Sequence, residues 1–243
     1  MVLWPKTFAE KATAALVGQT IRKLTRKGKY LTLSLDRSDL VVHLRMTGQL
    51  LYLEPVTSLD DPYVRMQFIF KDRSCLIFSD KRKFGRIYHV DQAKAITDKI
   101  GIDAISNELD QTTFIQLLLS SKMRIKPFLL SQKYISGMGN IYADESLFRA
   151  GIHPNSVAQA IDLDAKEKLF QVIGEILSFA IQNMGSTISD YRDPNGNIGQ
   201  FQEFFNVYQQ TGKPCVRCTG PIIKIKLAGR GTHFCPNCQK VYT

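Results

Sequence analysis

Acidic residues stop at Glu203. The stretch after it holds six Lys or Arg (Lys213, Arg217, Lys224, Lys226, Arg230 and Lys240) and no Asp or Glu, which favours an anionic partner over a self-neutralised tail. Long apolar runs are also missing: none approaches the roughly 20 residues that span a bilayer. The first residues lack the charged-then-apolar pattern of a secretory signal, and neither internal repeats nor a low-complexity tract occurs. Cysteine is scarce, with five in 243 residues. Four fall in two close pairs, and Cys75 sits in an apolar, strand-like run where a buried thiol is the plain reading. That usage excludes a disulfide scaffold and leads us to expect a reducing, cytoplasmic compartment.

The two pairs are informative. Cys215-Val216-Arg217-Cys218 and Cys235-Pro236-Asn237-Cys238 are separated by sixteen residues. That spacing is the ligand set of a Cys₄ zinc ribbon holding one structural Zn²⁺. Between the pairs, Ile223, Ile225 and Leu227 alternate with lysines, which predicts a two-stranded hairpin. So small a unit cannot bury enough apolar surface to stand alone, so the metal must supply stability. A purely structural zinc knob is the alternative, and the missing acids weigh against it. The whole chain carries 32 Lys and Arg against 22 Asp and Glu, a net charge of +10. This suits nucleic acid, although charge alone would fit an anionic membrane surface too.

The expected fold class is α+β, with three parts. Residues 1–95 read as an antiparallel β-sandwich: Leu31, Leu33 and Leu35 alternate with polar residues, as do Val64, Met66 and Phe68. Residues 96–209 read as a helical domain. Its best helix carries Leu169, Val172, Ile173, Ile176, Leu177 and Ala180 on one face and is expected to begin at Asp164, with Glu167 three residues on. Residues 210–243 form the zinc finger. In 132–154, Gly137-Met138-Gly139 makes a tight turn, Asn140 reads as the N-cap of a helix, and Gly151 as its stop. A helix start following such a turn is a natural phosphate seat, although simple packing explains many such helix pairs. The polar loop 186–202 is long enough to have a task or to be disordered.

The 132–154 segment closely resembles the helix–two-turn–helix of the formamidopyrimidine-DNA glycosylase and endonuclease VIII family. Gly229-Arg230-Gly231-Thr232 is similar to the turn of that family's finger. Gly28-Lys29-Tyr30, His43-Leu44-Arg45-Met46-Thr47-Gly48, Asp80-Lys81-Arg82-Lys83-Phe84-Gly85 and Asn206-Val207-Tyr208 follow in the family's order. The 186–202 loop looks like the base-capping loop of the formamidopyrimidine branch. The resemblance implies base-excision repair: removal of oxidised purines (8-oxoguanine, formamidopyrimidine) from duplex DNA, and abasic-site strand cleavage by β- and δ-elimination. It further implies a monomer working in a basic groove between two domains.

The same resemblance assigns roles. Met46, Arg82 and Phe84 would fill the hole left by an extruded base, a task suited to an apolar wedge, a guanidinium plane and an aromatic face. Lys29, Lys126, Asn140 and Arg230 would clamp the DNA backbone. Read without it, Met46 and Phe84 are core residues and Lys29 belongs to a solvated basic run. The family's chain begins Pro-Glu, with the proline amine as nucleophile; here the sequence begins Met1-Val2-Leu3-Trp4-Pro5 and matches well inside the first domain. Either a truncation or late start, or a paralogue without the nucleophile, accounts for this. The expectation is little borohydride-trapped complex from these 243 residues alone, with Lys29 at most a weak substitute amine. Competing readings are a catalytically inactive binder of damaged DNA and an RNA-binding zinc-ribbon protein. The latter fits the ordered Met46, Arg82 and Phe84 set less well, since RNA binders stack splayed bases on sheet aromatics.

Overall fold

The computed structural model describes residues 2–4, 14–55, 61–188 and 196–243. Pro5 and 189–195, the centre of the expected capping loop, lie outside the described residues. Contacts divide the chain into two compact units: Met1–Lys99 with Ser186–Gly199, and Ile100–Gly185 with Gln200–Thr243.

The first unit contains two antiparallel sheets. One has the order β1-β8-β4-β3-β2, from Val2–Trp4, Arg86–Val90, Asp39–His43, Tyr30–Ser34 and Lys23–Lys27. The other has the order β5-β7-β6, from Gly48–Leu53, Cys75–Asp80 and Val64–Ile69. Period-two alternation sends Leu33, Leu40, Val42 and Ile87 of the first sheet and Met66 and Phe78 of the second into one shared core, which is the expected sandwich. Cys75 is buried, as its apolar setting predicts. The edge strand β2 is almost wholly exposed and carries Lys23, Arg26 and Lys27, charges that oppose edge-to-edge pairing.

The second unit is helical, with the finger built into it. Its helices span Gln111–Leu119, Ile125–Leu130, Asn140–Ala150 and Leu163–Gln182. All six apolar residues expected on the last helix are buried. Its cap is Asp162, not Asp164: the Asp162 carboxylate accepts from the Ala165 N–H at 2.9 Å. Asp-Leu-Asp offers two caps, and the one that can reach the N3 amide prevails. Asn140 likewise is not a cap. Gly139 takes that place with extended backbone, and the Asn140 amide turns elsewhere. Gly151 ends the helix as expected, with φ of 79° in the left-handed region that favours glycine.

Two short strands of this unit, Ile102–Asp103 (β9) and Ile135–Ser136 (β10), pair in parallel, and the finger hairpin pairs Ile223–Leu227 (β11) with Arg230–Phe234 (β12). The hairpin packs with Phe148, Val207 and Ile222 around the ligands Cys215 and Cys235, and Phe234 of β12 is buried against the His153 ring at 4.4 Å. Past the last cysteine the chain runs beside the loop that follows Gly151: Lys240 N–H donates to the Gly151 carbonyl and Val157 N–H to the Tyr242 carbonyl.

Candidate nucleic-acid interface and zinc centre

In the first unit, Met46 lies in the turn between β4 and β5, and Arg82 and Phe84 lie in the turn between β7 and β8. Met46 is 59% and Phe84 47% exposed, so neither is the core residue that its apolar character alone would suggest. The Arg82 guanidinium sits over the Phe84 ring, 5.1 Å from its centroid, which joins the two into a cation–π pair. Lys29 is exposed at the β2–β3 turn. His43 precedes the Met46 turn. It is buried, packs edge-on against Tyr30 at 4.6 Å, and accepts the Arg45 N–H on Nδ1. Burial, then the charges of Arg45 and Lys29, push its pKa down to about 4, so the ring is neutral at pH 7. A large apolar groove of the same unit, lined by Leu33, Leu40, Tyr52, Met66 and Phe68 among others, contains none of these candidates.

In the second unit the four cysteines converge. Their sulfurs all lie within 4.8 Å of one another, with Cys215–Cys238 at 3.8 Å and Cys218–Cys235 at 3.5 Å. A tetrahedral zinc with bonds of about 2.3 Å needs sulfur–sulfur edges of about 3.8 Å, so the set fits one Zn²⁺. Burial and the three neighbouring thiols push Cys238 up to about 12, so four thiolates can coexist here only around a cation. Arg230 is exposed at the start of β12, and no carboxylate pairs with it among the described residues.

Lys126 is the surprise. Expected at the DNA backbone, it is fully buried. Its ammonium lies 2.6 Å from Asp144 and donates to the Gly231 carbonyl at 2.9 Å and to Thr232 Oγ1 at 2.8 Å. Asp144 also accepts the His233 N–H at 2.9 Å, and Asn140 Nδ2 donates to the Gly231 carbonyl at 3.1 Å. Lys126 and Asn140 thus grip the finger hairpin from the helices, directly behind Arg230.

Sequence reading missed several residues. Glu145, beside Asp144, accepts three successive N–H groups, from Asn206, Val207 and Tyr208, and so fixes the approach to the first cysteine pair. Arg217 donates to the carbonyls of Phe148 and Arg149, complementing the negative end of the Asn140–Ala150 helix. Two adjacent acids, Asp144 and Glu145, set between Ala143 and the apolar Leu147 and Phe148 in a helical stretch were the available signal.

The chain as a whole has counterparts among known proteins. Residues 1–87 match the model of the formamidopyrimidine-DNA glycosylase N-terminal domain, 100–192 that of the same family's H2TH domain, and 212–241 the zinc finger found in FPG and IleRS. The formamidopyrimidine-DNA glycosylase of Heliobacterium modesticaldum is 39% identical over 236 residues, covering 94% of this chain and 85% of that protein. That of Solibacter usitatus is 41% identical over 229 residues, covering 94% and 84%. Among solved structures, Lactococcus lactis Fpg in complex with an abasic site containing DNA aligns with a TM-score of 0.84 and 36% identity, covering 95% of this chain and 86% of that one. Thermus thermophilus MutM (Fpg) aligns with a TM-score of 0.83 and 36% identity, covering 95% and 87%. Relatives at this identity, over nearly the whole chain, show that it belongs to the formamidopyrimidine-DNA glycosylase family.

Proposed function

We propose that this chain is a base-excision repair glycosylase that binds duplex DNA around an extruded oxidised purine, 8-oxoguanine or formamidopyrimidine, in a bacterial cytoplasm. Its four cysteines serve a metal only as free thiolates, in keeping with a reducing compartment. One observation carries the reading: an exposed methionine and an exposed Arg–Phe pair stand on two turns of one unit. Extruding a base takes a few kcal/mol and leaves a gap in the stack. An apolar wedge and a stacked guanidinium can occupy such a gap and meet the orphaned partner base.

The remaining candidates act on the backbone, each within its own unit. Lys29 and Arg230 are exposed cations suited to phosphate, which positions DNA without reading sequence. Lys126 and Asn140 support Arg230 by holding its hairpin. The described side chains account for binding and extrusion; bond cleavage further requires the amine nucleophile that the family resemblance implies. Family relatives solved with abasic, Fapy-dG and 8-oxo-G containing DNA suggest the lesion class.

The division of roles has a direct test. Arg230→Ala should weaken binding to lesion and undamaged duplex alike, and flatten the salt dependence by about one counterion. Arg82→Ala should reduce only the preference for the lesion, because its task begins after the base has left the stack. Equal losses on both duplexes for both variants would refute the division. Free base released into solution, measured in parallel, separates excision from binding alone.

A further inference from the structure

We propose that Thr47 and Asp80 are positioning residues that lock the Met46 turn to the Arg82–Phe84 turn, so that the filling side chains are presented as one preset unit. The proposal rests on the reading of these side chains as fillers.

A single hydroxyl and a single carboxylate make the connection. Thr47 Oγ1 donates to Asp80 Oδ1 at 2.5 Å and accepts the Arg82 N–H at 3.0 Å. Asp80 is wholly buried. Its Oδ1 also accepts the Arg82 N–H at 3.2 Å, and its Oδ2 accepts the Gly85 N–H at 2.7 Å. One side chain therefore holds the start and the end of the Arg82–Phe84 turn and, through Thr47, the end of the Met46 turn. Among the described residues the donors to the carboxylate are one hydroxyl and two backbone N–H groups, while the Arg65 guanidinium donates to the Asp80 backbone carbonyl, so the carboxylate itself serves to order two turns.

Both turns need such restraint. Arg45 has φ of 57° and Lys83 of 60°, left-handed values that cost non-glycine residues free energy and persist where neighbours over-determine them. Gly85 closes the second turn against the core: a Cβ there would lie 2.4 Å from the Phe78 ring and 3.1 Å from Asp80 Oδ2. Arg86 adds a further restraint by donating to the carbonyls of Phe84 and Gly85. Turns fixed in this way present Met46, Arg82 and Phe84 without an ordering cost when DNA arrives. The merely structural alternative is that Asp80 satisfies local turn amides, with no bearing on what the side chains do.

The experiment compares Thr47→Ser, which keeps both hydrogen bonds, with Thr47→Val, which keeps the shape and removes both. The zinc-loaded 243-residue chain is titrated with two duplexes of one sequence, undamaged or carrying a single abasic-site analogue. Thr47→Val should lower the lesion preference about fivefold with undamaged affinity unchanged, the scale of the one bond lost outright, since the Arg82 N–H keeps Asp80 Oδ1 as an acceptor. Thr47→Ser should keep the preference. In an Arg82→Ala background Thr47→Val should add little, because the two act through one arrangement. Should Thr47→Val fail to fold, Asp80→Asn, of the same size but with an amide in place of one acceptor oxygen, should show the same selective loss. A folded Thr47→Val chain that keeps the wild-type preference, loses both duplexes equally, or multiplies with Arg82→Ala overturns the proposal. A wild-type chain with no lesion preference removes the filler reading itself, and this proposal with it; that failure is visible before any variant is compared.

Discussion

Chelating the metal, or replacing Cys235 by Ser, should unfold the finger, remove most of the DNA affinity and leave most of the helical signal in place. Within residues 210–243 the buried apolar side chains are Ile222 and Phe234 beside the ligand cysteines Cys215 and Cys235, far too little to offset the entropy of ordering the hairpin. Structural zinc contributes on the order of 10 kcal/mol to such elements at neutral pH. The helices have their own core around Phe114, Leu118, Phe128, Leu147 and Leu169, to which residues 210–243 add only the partly buried Tyr242. With the hairpin gone, Arg230, Lys224 and Lys226 lose their fixed places. Affinity at physiological salt should fall about a hundredfold or more, the scale expected when several phosphate contacts are lost. Elemental analysis should give one zinc per chain, and Cys75→Ser should leave that value unchanged. Full zinc occupancy in the Cys235→Ser protein would show that the ligand set is wrong.

Asp144→Ala should be the most damaging single change away from the metal, costing about 3–5 kcal/mol, the usual penalty for leaving a buried charge without its partner. Asp144 and Lys126 are both buried, so removing the carboxylate strands an ammonium that burial already pushes towards deprotonation. It also takes the acceptor from the His233 N–H within β12. Set against a typical stability of 5–15 kcal/mol, that loss is large enough to lower the melting midpoint visibly. The double change Lys126→Met with Asp144→Leu should be much milder, because no unpaired charge remains. Chemical denaturation of the three proteins checks this. A double variant as unstable as Asp144→Ala would show that packing, not the uncompensated charge, dominates.

Local signals in the chain translated well into structure. The cysteine spacing gave the metal cluster, Gly151 the helix stop, and the 3.6-residue spacing from Leu169 to Ala180 the buried face. What escaped notice is non-local. Thr47 and Asp80 are 33 residues apart, and Asp144 and His233 are 89 apart. No periodicity or spacing announces such pairings, which depend on tertiary approach. Lys126 shows the same limit from the other side. A lysine in a chain of net charge +10 reads as a surface cation, and only the approach of Asp144 and the hairpin makes its burial tolerable. Cap choice failed locally instead, since Asp162 and Asp164 compete for one helix start and hydrogen-bond reach decides between them.

The most direct measurement of the central claim is the ratio of two dissociation constants for the zinc-loaded protein, one for a duplex with a single abasic-site analogue and one for the undamaged duplex. Turns that fill a vacated stack should give tighter binding to the gapped duplex by about tenfold or more, since an intact duplex must first be unstacked at a few kcal/mol. Both affinities should fall steeply with salt while the ratio persists, because phosphate contacts are common to the two duplexes. Equal affinities across the salt range would contradict the account, leaving only a basic protein that binds DNA through its charge.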